Sequence, residues 1–358
     1  MKKAIKYAVA FLFLLQAMLP YLLPLEPLYD YRVREDKFAQ DSRNYHALLD
    51  RLKVEIDDNR IRDYIVILGD SVAYGSAVQP EESVGYYMEQ LRVKEGGYGK
   101  PAIFNLAQPG MQAGDMYAML LLLDRYGIST DRVVLNVRYD DFAPRRPGPA
   151  IAALLPDTLH DLDRDSYAHL EPQLASNGHH TPGNRLGQSL AYARDQIAAS
   201  VSLIRYKDVL AEQASLAYER YFESRAQAYS EQEQSVPAEA DVPAEVPSTL
   251  SRETFDLTDA SPQVYMLEKI MEHQKGKETL VFLAGINETA HAEELADTRV
   301  RDNLQRINGY FADKPVKYLN LQGRLTDEYY ADDVLYNANG YRAIAAMLWE
   351  EMRQTKDE

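Results

Sequence analysis

The chain has no cysteine and only seven histidines in 358 residues. The missing thiol excludes a disulfide framework, a Cys-ligated zinc or iron–sulfur site and a thiolate nucleophile. Hydrolytic chemistry must then use a serine, a threonine, a carboxylate or a metal held by His, Asp or Glu. Positive charge is the second scarcity. Lys and Arg total 39 against 55 Asp and Glu, a formal charge of −16, and such a surface is repelled by phosphate backbones, which argues against a nucleic-acid partner. The 46% of apolar residues suffices at this length for one large core or two ordinary ones.

One apolar stretch is uncharged. Lys2, Lys3 and Lys6 precede the 18 residues of Ala8 to Leu25, which contain no charge and are interrupted only by Gln16, Pro20 and Pro24. That is about the minimum to cross a hydrocarbon core of roughly 30 Å. Leu, Pro, Glu and Tyr dominate the next few positions, with no convincing small-x-small cleavage site, so residues 1–25 read as an uncleaved signal anchor, with a cleaved signal peptide as the competing reading. Flanking lysines stay cytoplasmic, which places the bulk of the chain outside the cell membrane as a single-pass protein. Without its three lysines the remainder goes from −16 to −19.

Residues 26–60 are charged and helix-permissive, with Tyr45, Leu48, Leu49, Leu52 and Val54 near helical spacing, and read as a juxtamembrane stalk. Apolar runs at Tyr64–Leu68, Ala102–Leu106, Val133–Val137, Leu280–Ala284 and Val316–Leu321 read as buried strands. A Met- and Leu-rich helix is expected over Met111–Tyr126, and a last helix from near Asn339. Alternation of strands and helices over 61–355 predicts an α/β fold with a doubly wound parallel sheet. A long insertion, 143–260, separates the third and fourth strands. Its first part, to 190, looks irregular, and 190–228 looks helical. The Pro/Glu/Ala-rich stretch 229–250 reads as a disordered linker.

The chemistry concentrates in Ile67-Leu68-Gly69-Asp70-Ser71-Val72-Ala73-Tyr74-Gly75. A strand running into Gly-Asp-Ser places Ser71 at the carboxyl end of the sheet, where ligand sites of open α/β sheets lie. Its hydroxyl is exposed there, and its own N–H can face a developing oxyanion. These residues resemble the first block of the SGNH/GDSL hydrolase family. Asn105-Leu106-Ala107-Gln108-Pro109-Gly110 resembles the second block, and Asp332-Asp333-Val334-Leu335-Tyr336-Asn337-Ala338-Asn339-Gly340-Tyr341 the last. The likeness covers about 62–142 and 278–355 and leaves the insertion outside.

The resemblance implies a flavodoxin-like three-layer sheet. It makes Ser71 the nucleophile, Asp332 the residue that orients a base, and Gly110 a donor to the oxyanion. Asp70, Asn337 and the block-three residue Asp140 join the oxyanion and binding set. Two positions depart from the family pattern: Leu335 stands where the histidine base belongs, and Asp140 where an asparagine donates. A neutral Asp140 could donate only if its pKa were raised. Substitute bases are His291, after the fourth strand, and His179 and His180 in the insertion. The histidine pair lacks a spaced carboxylate motif, so neither metal nor cofactor is expected.

Other features have plainer accounts. Gly96-Gly97-Tyr98-Gly99-Lys100 is rich in glycine but precedes a strand, as a turn does. Arg138, Arg145 and Arg146 form a basic island near the active rim. With an anchor and an outside SGNH-like domain, the chain is similar to envelope polysaccharide O-acetylation and D-alanylation accessory proteins. That likeness implies an esterase or O-acyltransferase acting on acyl (acetyl) esters of an envelope or exopolysaccharide, beside a multi-spanning acyl-transfer membrane protein. The alternative is a catalytically silent binding or scaffold protein in the same assembly.

Overall fold

In β1 (Tyr64–Leu68), β2 (Ala102–Asn105), β3 (Arg132–Val137), β4 (Glu278–Leu283) and β5 (Lys317–Asn320), successive side chains must point to opposite faces. All five residues of β1 are buried, so both faces are covered. In this computed structural model, which describes residues 2–353 except 39–40, 98, 146–147, 180–186, 188–196, 198–199 and 227–249, the two sets enter two separate cores. Tyr64, Val66 and Leu68 join the larger core with the helices Ala113–Arg125, Pro262–His273 and Thr298–Ala312. Ile65 and Ile67 join a second core against Val84–Lys94 and Ala338–Arg353. This double cover is why the strands read as unbroken apolar runs.

The strand order is β2-β1-β3-β4-β5, every pairing parallel. The chain leaves β1 toward β2 on one side and later enters β3 on the other. Between β1 and β3 the winding reverses, and there the carboxyl ends diverge to leave a crevice. The protein is thus an α/β domain with a doubly wound sheet.

The stretch 26–60 departs from the stalk expectation. Helix Asn44–Asp58 buries Tyr45, Leu48, Leu49, Leu52 and Ile56 in the larger core. Positions 45, 48, 49, 52 and 56 form one stripe at 3.6-residue spacing, and an apolar stripe needs a partner. His46 on this helix is half-buried, with Nδ1 2.8 Å from the Tyr126 hydroxyl. Burial lowers its pKa to about 4, with Arg125 and Arg205 adding to the effect and Asp50 opposing it. The unfolded ring titrates near 6.5. Stability from the neutral ring is therefore full above pH 6.5 and lost as pH falls toward 4, because the unfolded chain gains a proton the folded chain refuses. Urea unfolding should show a loss of about 2 kcal/mol over that window, allowing for partial exposure, that His46→Gln abolishes.

The insertion is more ordered than its Pro, Gly and His content suggests. Pro156–Leu162, with proline in its first turn, and Arg164–Ser176 are helices. Lys207–Ala226 is helical as expected, while residues 229–249 of the expected linker 229–250 fall outside the described residues and its last residue, Leu250, is buried in the larger core. Helix Lys2–Leu22 contains Ile5–Leu22, 18 residues of mean hydropathy 1.6 and 6% buried. Among the described residues it alone is long and apolar enough to cross a bilayer.

Candidate active site

Beyond Leu68 the chain must turn beneath β3. A Cβ on Gly69 would lie 2.5 Å from Asn136 Cβ on β3 and 2.9 Å from Ala73 Cβ, so this approach needs glycine. Asp70 caps the short helix Ser71–Tyr74, its Oδ1 accepting from the Val72 N–H at 2.9 Å. Its other oxygen pairs with Arg138 Nε at 2.5 Å. Gly75, at φ 86°, closes the helix in the left-handed region, and the N–H groups of Gly75 and Ser76 both donate to the Ser71 carbonyl. Arg32 holds the same end: it donates to the carbonyls of Tyr74, Gly75 and Val78, with its guanidinium 4.2 Å over the Tyr74 ring.

The β2 loop is bonded to this turn. Gln108 N–H donates to the Gly69 carbonyl at 3.0 Å, and the Tyr45 hydroxyl donates to Gln108 Oε1. Met111 N–H returns to the Gln108 carbonyl at 3.0 Å, with Pro109 second and Gly110 third at φ 79°. That is a type II turn, which requires a residue such as glycine at the third position. Buried Asn105 ties the loop to the Ser71 helix by donating to the Ala73 carbonyl at 2.9 Å.

Ser71 is 6% exposed, and its hydroxyl makes no hydrogen bond to any described residue. The expected base position is filled by Leu335, 8% exposed and packed in the second core. Asp332 Oδ1 accepts from the N–H groups of Val334 at 2.8 Å and Leu335 at 2.6 Å, so its carboxylate shapes this loop. No described histidine hydrogen-bonds to it. Asn337, grouped with the binding residues from sequence, caps the last helix: its Oδ1 accepts from the N–H groups of Asn339 and Gly340, and its Nδ2 donates to the carbonyls of Glu328 and Tyr330. Leu335→His is expected to lower stability by about 2–4 kcal/mol without creating esterase activity, because that side chain points into the core. Urea unfolding and acetyl-ester turnover check this together, and Ser71-dependent turnover in the variant would contradict it.

Beyond Arg138, a cavity of about 40 Å³ is walled by Arg138, Asp140, Gly285, His291 and Asp333, without Ser71. His291 is 4% exposed, with Nδ1 3.7 Å from Glu294. Asp140 has its pKa raised, burial being the main cause; the Ser251 N–H and the charges of Arg138 and His291 oppose the rise. This is the direction a donating Asp140 requires. Among the described residues no group of three or more His, Asp and Glu is placed to hold a metal. His179 ends helix Arg164–Ser176 through its backbone N–H to the Leu174 carbonyl, while His180 and Arg146 lie outside the described residues. Arg145 donates to the Pro149 carbonyl within the insertion and to Gln263 on the helix Pro262–His273.

Arg32 carries no local signal in the sequence, and Tyr341, though it closes the last block, has a reach the block does not announce. Arg32 reaches carbonyls more than 40 residues away. Tyr341 is fully buried, its pKa raised by burial; the Tyr336 backbone lowers it, the carboxylates of Asp70 and Asp332 add to the rise, and Arg32 opposes. This last-block tyrosine is thus within electrostatic reach of Asp70 in the first block.

No family model and no curated protein matches the chain. A solved structure of the lipase Lip_vut3 from goat rumen metagenome aligns over 83% of this chain and 100% of its own, with 13% identity and a TM-score of 0.39. The α/β class rests on the sheet itself.

Proposed function

We propose that the chain is a membrane-anchored, extracytoplasmic SGNH/GDSL-type esterase or O-acyltransferase with Ser71 as its nucleophile. The placement of Ser71 carries the reading: it follows β1 at the β1/β3 reversal, between two glycines, with the Gly110 turn bonded to the same loop. In the reaction the Ser71 oxygen bonds to the ester carbonyl carbon and the bond to the alcohol breaks. The hydroxyl proton ends on the departing alkoxide. Water or an acceptor hydroxyl then takes the acyl group from Ser71 by the reverse steps. The Ser71 and Gly110 N–H groups are the donors for the intermediate, and Asp140 joins them only when it carries a proton.

The substrate class is an acyl ester, acetyl in the first instance, on an envelope or exopolysaccharide. Residues 8–25 anchor the domain, with the lysines inside, beside a multi-spanning acyl-transfer partner. Among the described residues no base hydrogen-bonds to Ser71, and loss of the base leaves about 10³-fold acceleration over water. The isolated chain is thus expected to react slowly. A second reading, a catalytically silent binding or scaffold protein, is favoured by Leu335 in the core and by the engagement of Asp332 with the backbone. A fluorophosphonate probe on the full chain in detergent separates the two. Slow labelling that Ser71→Ala removes supports the enzyme, and no labelling of the folded chain supports the silent protein.

A further inference from the structure

The first helix is long enough to span a bilayer only if nearly all of it is used. At 1.5 Å per residue, the 18 residues Ile5–Leu22 reach about 27 Å, against a hydrocarbon core of roughly 30 Å. Gln16 lies six residues before Leu22, so it sits about 9 Å below the outer boundary. A carboxamide at that depth needs partners, and the insertion supplies both: Gln16 Nε2 donates to the Ser200 carbonyl at 2.6 Å, and Gln16 Oε1 accepts from the Ser202 N–H at 2.8 Å. The partners must share its depth.

The neighbouring contacts fix the direction of the segment. Arg51 Nε donates to the Leu23 carbonyl at 2.8 Å, which puts helix Asn44–Asp58 level with the end of the span. Arg205 pairs with Asp50, and the Tyr206 hydroxyl donates to the same carboxylate at 2.9 Å. The charged end of the segment is thus at the boundary, and Ser200, five residues earlier, lies deeper. Between them the sequence is Val201-Ser202-Leu203-Ile204, uncharged, with Ile204 40% exposed although large and apolar. Ser202 is buried.

We propose that Ser200–Ile204 is a second membrane contact, a short monotopic dip of the insertion into the outer leaflet, docked on the anchor through Gln16. The occupant of its exposed apolar side is lipid. Continuity with the anchor carries this choice, and the inference rests on the reading that the first helix spans the bilayer. The contact seats the domain at a fixed height and rotation, which a single helix followed by a flexible stalk could not do.

The absence of native cysteine makes the test clean. Single-cysteine full-length chains Ser200→Cys, Ile204→Cys, Phe13→Cys and Val93→Cys are labelled with an environment-sensitive fluorophore. They are then reconstituted in phosphatidylcholine vesicles carrying nitroxide at shallow or deep acyl positions. Phe13 reports the span, and Val93, 54% exposed on the helix Val84–Lys94, reports the aqueous domain. The expected result is blue-shifted emission at 200 and 204, with shallow-nitroxide quenching at least twofold above Val93 and stronger at 200 than at 204. Quenching at Phe13 with 200 and 204 behaving like Val93 overturns the second contact alone. No quenching at Phe13 overturns the spanning helix, and the proposal with it.

Discussion

Asp115→Asn lowers the stability of the domain by about 3–5 kcal/mol, among the largest single-residue effects expected in this chain. Asp115 is fully buried near the start of the helix Ala113–Arg125, and its carboxylate accepts four backbone N–H groups. One is from Gln112 at 2.9 Å, and three are from Ala153, Leu154 and Leu155 at 2.8–3.0 Å. Burial pushes its pKa up to about 6 and the four donors restrain the rise, so the group is ionised at neutral pH. An amide offers one acceptor oxygen and turns an NH₂ toward groups that are themselves donors. At least two buried N–H groups then lose their partner, at about 1–3 kcal/mol each. The three distant donors lead into the insertion's helix Pro156–Leu162, so the carboxylate is the latch holding that part of the insertion against the helix Ala113–Arg125. Urea unfolding of the purified chain measures the loss, and proteolysis within 150–176 should accelerate in parallel. An Asn variant within 1 kcal/mol of wild type would refute the latch.

Gly69→Ala is the second large effect, and it acts on the site itself. The added methyl overlaps Asn136 Cβ and Ala73 Cβ, neither of which is the tip of a flexible chain. With φ at 156° the backbone is also one that side chains disfavour. Either β3 or the Ser71 helix must move, at about 2–4 kcal/mol. Because Asp70 and Ser71 come immediately after it, the displacement reaches the nucleophile. Probe labelling should fall at least tenfold at temperatures where the variant is folded. Asn136→Gly, which removes one of the two obstructing carbons, should recover part of the stability lost in the double variant. No recovery would place the strain elsewhere.

How legible each feature is in the sequence depends on how local its signal is. The strands stand out because a parallel strand covered on both faces is one apolar run, and Tyr64–Leu68 is read to the residue. The Gly-Asp-Ser turn and Gly110 are equally local, since each is a backbone requirement written as glycine. The helix Asn44–Asp58 reads as a stalk because charged residues between its apolar positions hide a stripe that is buried all the same. The order of 150–176 escapes notice because its determinant, Asp115, lies on another element, although Pro156 is a usable helix-start signal. In the last block, Asn337 and Gly340 match a family pattern, yet here they cap a helix and permit close packing against Tyr329. Arg32 acts through carbonyls more than 40 residues away, and nothing in its own neighbourhood announces it.

Ser71 is the residue proposed to form the covalent bond. The most direct test is mass spectrometry of the full chain after incubation with an activated acetyl ester. With no base among the described residues hydrogen-bonded to Ser71, deacylation is expected to be slow as well as acylation, so the acyl-enzyme should persist long enough to be digested and mapped. One acetyl group is expected on the peptide containing Ser71, absent from Ser71→Ala. A folded chain with no adduct at Ser71, or with adducts distributed over lysines and tyrosines equally in both proteins, would contradict it.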